Sequence, residues 1–148
     1  MGTLRGLAGV FYKPGDPGTE FGLGPGIVER IDSDAFHDFL RSSGDVVALW
    51  NHDPPFLPGR RSAGTLKRSV DATGLRCVID TPDTQLGNDM TTLAARGDIC
   101  GSSFSFIADR FRRVEEGRIA VRIIEAATLV DGSFVTFPAH TGTTASAG

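Results

Sequence analysis

Three histidines are the candidates for a general base near neutral pH, and their settings differ. His37 falls on the polar side of a predicted helix and His140 borders a polar segment, so both suit solvated surface positions. His52 instead follows a continuous apolar run and stands between the amide of Asn51 and the carboxylate of Asp53. This setting fits a base in proton transfer, and it fits a structural role equally well.

A run of serines behind a glycine supplies candidate nucleophiles. Gly101 precedes Ser102 and Ser103 directly. Alternation along a predicted strand places Ser103 and Ser105 on the face opposite Phe104. A bare backbone before a nucleophile leaves room for a substrate carbonyl, and amides near Ser102 and Ser103 could point at its oxyanion. No glycine stands two positions after either serine, so this is not a G-x-S-x-G elbow, and spacing alone also fits ordinary surface serines.

Other hydrolytic chemistries have weaker support in the residues. Cys77 and Cys100 are far apart and lack CxxC spacing, which argues against a zinc site or a disulfide framework. Cys100 paired with His52 would make a cysteine hydrolase, but we expect Cys100 to be a small thiol packed in the core. A metal hydrolase built on His37, His52 and Asp53 lacks any ligand pair at H-E-x-x-H spacing. We therefore expect no metal or other cofactor.

Composition describes one folded, turn-rich domain spanning residues 1–148, with 40% hydrophobic residues, 19 glycines and 8 prolines. The formal charge of −3 gives no general reason to bind nucleic acid or anionic lipid, although Arg110, Arg112 and Arg113 form a local basic patch. No apolar run approaches the roughly 20 residues of a membrane span, and no export signal is present, so we expect a soluble protein of a reducing cytoplasm.

The elements that position these residues are mostly short strands. Two helices are predicted, one from Asp32 or Ser33 to Gly44 and one from about Thr81 to Gly97. Residues 13–26 form a Gly/Pro-rich loop without phosphate-loop spacing, and residues 141–148 form a flexible tail. About seven strands are expected in total. The segments that predict them lie near residues 4–12, 27–31, 46–50, 64–70, 75–80 and 102–108, in a hairpin of 110–114 with 118–124, and in one or two last strands within 127–137. This pattern predicts a mainly β (α+β) fold, a closed β-barrel with surrounding helices.

Five segments occur in a fixed order between about Leu7 and Thr144. They are VALWNHD at 47–53, GR followed by AGTL within 59–66, DTPDT with Gly87 and Asp89 within 80–89, RGDI running into GSSFSF within 96–106, and VTFPA at 135–139. Together they resemble the prohead (capsid maturation) proteases of HK97-type tailed bacteriophages, a family similar in fold to herpesvirus assemblin.

The resemblance implies roles for individual residues. His52 corresponds to the family's base and Ser103, just before Phe-x-Phe, to its nucleophile. The phage enzymes place an acidic residue before the last motif, which makes Asp131 the third member of the site, with Glu125 in reserve. His140 could instead imitate the second histidine of assemblins. The implied activity is that of a serine endopeptidase working through an acyl-enzyme.

The resemblance also implies a biological setting. The expected substrates are the major capsid protein or a scaffolding protein, and the chain itself, with the small polar residues 144–148 as a place for self-cleavage. The expected location is the immature capsid, or prohead, in the host bacterial cytoplasm, with possible self-association and no membrane or specific nucleic-acid partner. A catalytically inactive capsid assembly or scaffold-binding module is the alternative from a different class.

Overall fold

The fold is mainly β. The computed structural model describes residues 2–42, 44–137 and 143–148. Its helices are α1 (His37–Arg41) and α2 (Gln85–Arg96), with a 3₁₀ turn at Pro17–Thr19. The strands in these ranges are β1 (Gly2–Val10), β2 (Phe21–Gly24), β3 (Ile27–Ile31), β4 (Val47–Trp50), β5 (Gly59–Arg60), β6 (Leu66–Val70), β7 (Gly74–Thr81), β8 (Gly101–Glu116), β9 (Ile119–Val135) and β10 (Thr144–Ala147).

The strands form two sheets. The first is antiparallel, in the order β10-β1-β7-β6. The second is organised by the long strand β9, which pairs with β8 along one edge and, in parallel, with β3 and then β4 along the other. Within the described ranges neither sheet closes on itself, so the closed barrel is not confirmed and only the mainly β class is.

The strands alternate between buried and less buried residues because one face of each sheet packs against the core. On β7, Leu75, Cys77 and Ile79 are all buried, as a period of two predicts. Phe104 of β8 packs edge-on against Phe36, with ring centroids 5.4 Å apart. Packing of the Phe104 side leaves the opposite face of β8 to Ser103 and Ser105.

Helix α2 begins and ends as its sequence predicts. The Thr84 side chain accepts a hydrogen bond from the Gly87 amide, and Gly97 closes the helix in the left-handed conformation, with φ of 84°. Met90, on the inner face of α2, is fully buried. Helix α1 is shorter than predicted, because Asp32 accepts from the Asp34 amide in a turn instead of capping the helix. In the described part of the chain, no helix has the length and apolarity needed to cross a membrane.

Three short strands were not predicted. β2 and the 3₁₀ turn lie in the expected 13–26 loop, β5 holds only Gly59 and Arg60, and β10 lies in the expected 141–148 tail. The tail prediction is therefore wrong for residues 144–147, which pair with β1, while 141–142 are outside the described residues. Pairing through backbone hydrogen bonds needs no large side chain, so glycine-rich or small-residue segments hide such strands.

Candidate active site

The turn after β4 has an uncommon backbone. Asn51 and His52 both have positive φ, 52° and 57°, a region that few residues other than glycine adopt. The Asn51 amide donates to Phe134 O, and Asn51 Oδ1 accepts from the Thr136 amide, both at 3.0 Å. These two hydrogen bonds hold the turn against the end of β9 and so fix the position of the His52 backbone, from which the imidazole extends.

His52 meets a buried carboxylate from β9. Its Nδ1 donates a hydrogen bond to Asp131 Oδ1 at 2.6 Å. The Asp131 side chain is 7% exposed and that of His52 is 36% exposed. Parallel pairing of β4 with β9 sets Val47 opposite Asp131, and the turn at 51–52 brings the imidazole back over that strand. The contact leaves Nε2 as the ring nitrogen not used by Asp131.

Asp131 has further hydrogen-bond donors. Ser133 Oγ donates to its Oδ1 at 2.5 Å, and Ser105 also hydrogen-bonds the carboxylate. Burial alone would raise the pKa of Asp131. The hydrogen bonds from His52 and Ser133, the nearby His52 charge and the Ser105 hydrogen bond outweigh burial and hold the pKa below its ordinary value. The carboxylate is therefore ionised at neutral pH and able to orient a histidine.

The candidate serines lie on the same sheet face as Asp131. In the β8–β9 pairing Ser103 is opposite Ser133 and Ser105 is opposite Asp131, and directly opposed residues share a face. Ser103 is buried, with 8% of its surface exposed. Among the described residues, no hydrogen bond reaches Ser103 Oγ, so the structure does not join Ser103 to His52 directly.

Ser105 is the serine in contact with the histidine. Its Oγ lies 3.3 Å from His52 Nδ1, the nitrogen that also serves Asp131. A nucleophile paired with such a histidine gives its proton to the other ring nitrogen, so Ser105 is placed to support the carboxylate. Ser103, two residues along the same face, remains as the candidate nucleophile.

Ser102 points the other way and is fully engaged. Its amide donates to Thr143 Oγ1 at 3.2 Å, and its hydroxyl donates to the carbonyl of Thr144. The Ser102 N–H already has an acceptor and does not serve an oxyanion in this arrangement, while the expectation of oxyanion donors among the amides near Ser102 and Ser103 stays a prediction.

The reserve candidates lie elsewhere. Glu125 lies 3.6 Å from Arg112, and the carboxylate that His52 binds among the described residues is Asp131. His37 is in α1 and lies 3.5 Å from an Arg41 nitrogen. His140, together with Pro138 and Ala139 of the last motif, is outside the described residues.

The two cysteines occupy different environments. Cys77 is buried in the core, where burial raises the pKa of its thiol to about 12. Cys100 is exposed just before β8, so the expected packed core thiol is wrong for this residue. It is not a hydrogen-bond partner of His52 in the described part of the chain. Over the same residues, no three His, Cys, Asp or Glu side chains are grouped closely enough to hold a metal ion.

Two contributors to the site were not identified from the sequence. Ser133 is not among the predicted site residues, although its position two residues after Asp131 on a strand puts both side chains on one face. The sequence predicts Asn51 only as an amide beside His52, and its bond to Thr136 depends on a contact across 85 positions that no local pattern predicts.

Comparisons with known proteins identify a family and a shared fold. A family model described as caudovirus prohead serine protease matches residues 3–148, which confirms the resemblance drawn from the motifs. The crystal structure of KSHV protease with a hexapeptide phosphonate inhibitor matches with a TM-score of 0.59 and 17% identity. The match covers 100% of this chain and 65% of the KSHV chain, and at this identity it shows a shared fold. No curated protein matches significantly.

Proposed function

Because the chain belongs to the caudovirus prohead serine protease family, we propose that it is a serine endopeptidase with Ser103 as nucleophile, His52 as base and Asp131 as orienting carboxylate. The observation that carries the assignment is the 2.6 Å contact between His52 and the buried Asp131, on the sheet face that also presents Ser103. A buried, ionised carboxylate beside a partly exposed imidazole is the histidine–carboxylate pair of a Ser-His-Asp triad.

The reaction follows from these positions. The Ser103 hydroxyl attacks a peptide carbonyl while His52 Nε2 takes its proton, and Asp131 stabilises the imidazolium through Nδ1. His52 then returns the proton to the leaving amine, which departs and leaves an ester on Ser103. Water, activated by the same histidine, hydrolyses the ester and releases the new carboxyl end. Ser105 and Ser133 keep Asp131 ionised and fixed throughout.

The family suggests what is cut and where. The proposed substrates are the major capsid protein or a scaffolding protein, and the proposed place is the interior of the prohead in the host bacterium. Self-association is part of the proposal. If the site is ordered only when copies of the chain associate, the enzyme stays inactive until it is concentrated in the particle.

Self-cleavage belongs to the same proposal with one condition. The bonds of residues 144–147 are paired with β1 in the folded protein, and a protease needs an accessible, extended segment. Cleavage at this place therefore requires β10 to leave its sheet first, so it is expected late, as the protease itself unfolds.

The test uses co-expression with the major capsid protein encoded beside this chain, followed by intact mass. Ser103→Ala should abolish truncation of the capsid protein, a loss of at least about 10⁴-fold. Ser105→Ala is the matched control on the same face, and it should retain cleavage at a reduced rate, because it removes a support of Asp131 and not the nucleophile.

The opposite result decides against this assignment. Cleavage by Ser103→Ala together with loss in Ser105→Ala would make Ser105 the nucleophile. Cleavage by neither the wild type nor any variant, in assembled proheads, would favour the inactive assembly or scaffold-binding module.

A further inference from the structure

The segment that leads into β10 contacts both β1 of the first sheet and the beginning of β8, the strand that carries Ser103. β10 pairs with β1, with Gly6 opposite Ala145 and Leu7 opposite Thr144. The Ala145 amide also donates to Cys100 O at 3.0 Å, at the entrance to β8. Residues 143–145, here called the clasp, thus lie between β1 and the beginning of β8.

The clasp takes up the hydrogen-bonding groups of Ser102. This side chain is 2% exposed, and its hydroxyl donates to the Thr144 carbonyl while its amide donates to Thr143 Oγ1. A buried hydroxyl and amide without partners would each carry a desolvation penalty, so the clasp and Ser102 hold one another in place.

Gly6 of β1 also packs closely against Ser102. A Cβ on Gly6 would collide with Ser102 Oγ and lie 3.1 Å from the Thr144 carbonyl oxygen. β1 therefore approaches Ser102 as closely as a glycine permits, and the clasp is held to β1 by the Leu7 amide, which donates to Thr144 Oγ1 at 3.2 Å.

We propose that the clasp is a positioning element of the active site, and that Thr143 and Ser102 are positioning residues for the Ser103 hydroxyl. Ser102 directly precedes Ser103 in β8. Fixing the amide and side chain of Ser102 therefore fixes the backbone from which the Ser103 side chain extends. No hydrogen bond among the described residues reaches Ser103 Oγ, so its aim depends on its backbone, which the β8–β9 pairing holds on one side and the bonds of Ser102 to the clasp hold just before it. The inference rests on the proposed function, since it assumes that Ser103 reacts.

The test compares two substitutions of one residue in the purified full chain. Thr143→Val keeps the shape but removes the oxygen that accepts from Ser102, and Thr143→Ser keeps that oxygen. The probe is an alkyl fluorophosphonate: Ser103 Oγ forms a bond to phosphorus, the phosphorus–fluorine bond breaks, fluoride leaves and His52 takes the hydroxyl proton. Thr143→Val should lower the maximal labelling rate by about 10-fold to 100-fold without changing the half-saturating probe concentration, and Thr143→Ser should restore the rate.

A second readout does not depend on reactivity. Amide hydrogen exchange at Ser102 should speed up in Thr143→Val and return to the wild-type rate in Thr143→Ser, because only the valine leaves that N–H without its acceptor. If Thr143→Val fails to fold by circular dichroism, Ser102→Ala, which removes the hydroxyl donor to Thr144, takes its place with the same expected loss of labelling.

Three outcomes would overturn the proposal. One is wild-type labelling by Thr143→Val while Ser103→Ala is not labelled. Another is an equal loss in Val121→Ala, a buried change at the far end of β9, which would mean that general destabilisation slows the reaction. The third is wild-type labelling of Ser103→Ala, which overturns the proposed function itself and is recognised by that variant alone.

Discussion

His52 Nδ1 donates a hydrogen bond to Asp131 Oδ1 across 2.6 Å, joining a turn after β4 to the last third of β9, 79 positions later. The bond selects the imidazole tautomer and leaves Nε2 to exchange protons with a nucleophile. The Asp131 carboxylate is nearly buried, so removal of His52 would leave this charge without its partner.

Replacing Asp131 by asparagine should reduce kcat/KM by about 10⁴-fold with little change in structure, because an amide can hold the ring but favours the wrong tautomer. The measurement is the initial rate of capsid-protein cleavage by intact mass. Glu125→Gln is the matched control and should stay near the wild-type rate, since Glu125 is paired with Arg112. Equal losses in the two variants would return Glu125 to the site.

Asp131 should also shape the acid sensitivity of the fold. Its pKa in the folded protein is held below the ordinary value of 3.8, so the stability it contributes is present above that value and is lost as the pH falls through the folded pKa. Urea unfolding at several pH values between 6 and 2, chosen to bracket both pKa values, should show a steeper loss below about pH 4 for the wild type than for Asp131→Asn. Parallel curves would contradict this prediction.

The backbone at Asn51 gives a separable test of strain and hydrogen bonding. Asn51→Gly suits the positive φ but loses the acceptor for the Thr136 amide, while Asn51→Ala suffers both defects. The alanine variant should therefore be less stable than the glycine variant by about 1–2 kcal/mol in urea unfolding. Both should cut more slowly than the wild type because the turn no longer aims His52. Equal stability would show that the turn is unstrained.

Thiol chemistry separates the serine mechanism from a cysteine hydrolase. Iodoacetamide on the native protein should modify the exposed Cys100 and leave Cys77, whose pKa is raised to about 12 by burial, untouched. Peptide mapping by mass spectrometry reads the positions. Cys100→Ser should cut at the wild-type rate, and a loss comparable to that of Ser103→Ala would support Cys100 as the nucleophile.

Much of the fold follows from local pattern. Leu86, Met90 and Leu93 at helical spacing with Gly97 behind them predict α2, and the turn at Gly117 predicts the β8–β9 hairpin. These elements carry their own signal because burial and capping act over a few residues.

The missing parts depend on partners far away in the chain. β10 has only small residues and is a strand because β1 offers it an edge. Asp131 is predicted as a site residue only through the family resemblance, because no residue near it in the sequence indicates that it pairs with His52. The roles of Ser133 and Ser105 follow only once the register that sets Ser105 opposite Asp131 is known.

The β8–β9 pairing changes register between Ser105 and Phe106, and again on either side of Arg110. Each bulge absorbs a mismatch between the two strands, so the stretch bearing the serines and the carboxylate need not move when the distant half of the hairpin changes. Loop insertions near Gly117 should thus be tolerated, and tags or binding peptides could be grafted there. A single-residue deletion between Gly101 and Ser105 would instead turn part of that serine run toward the core.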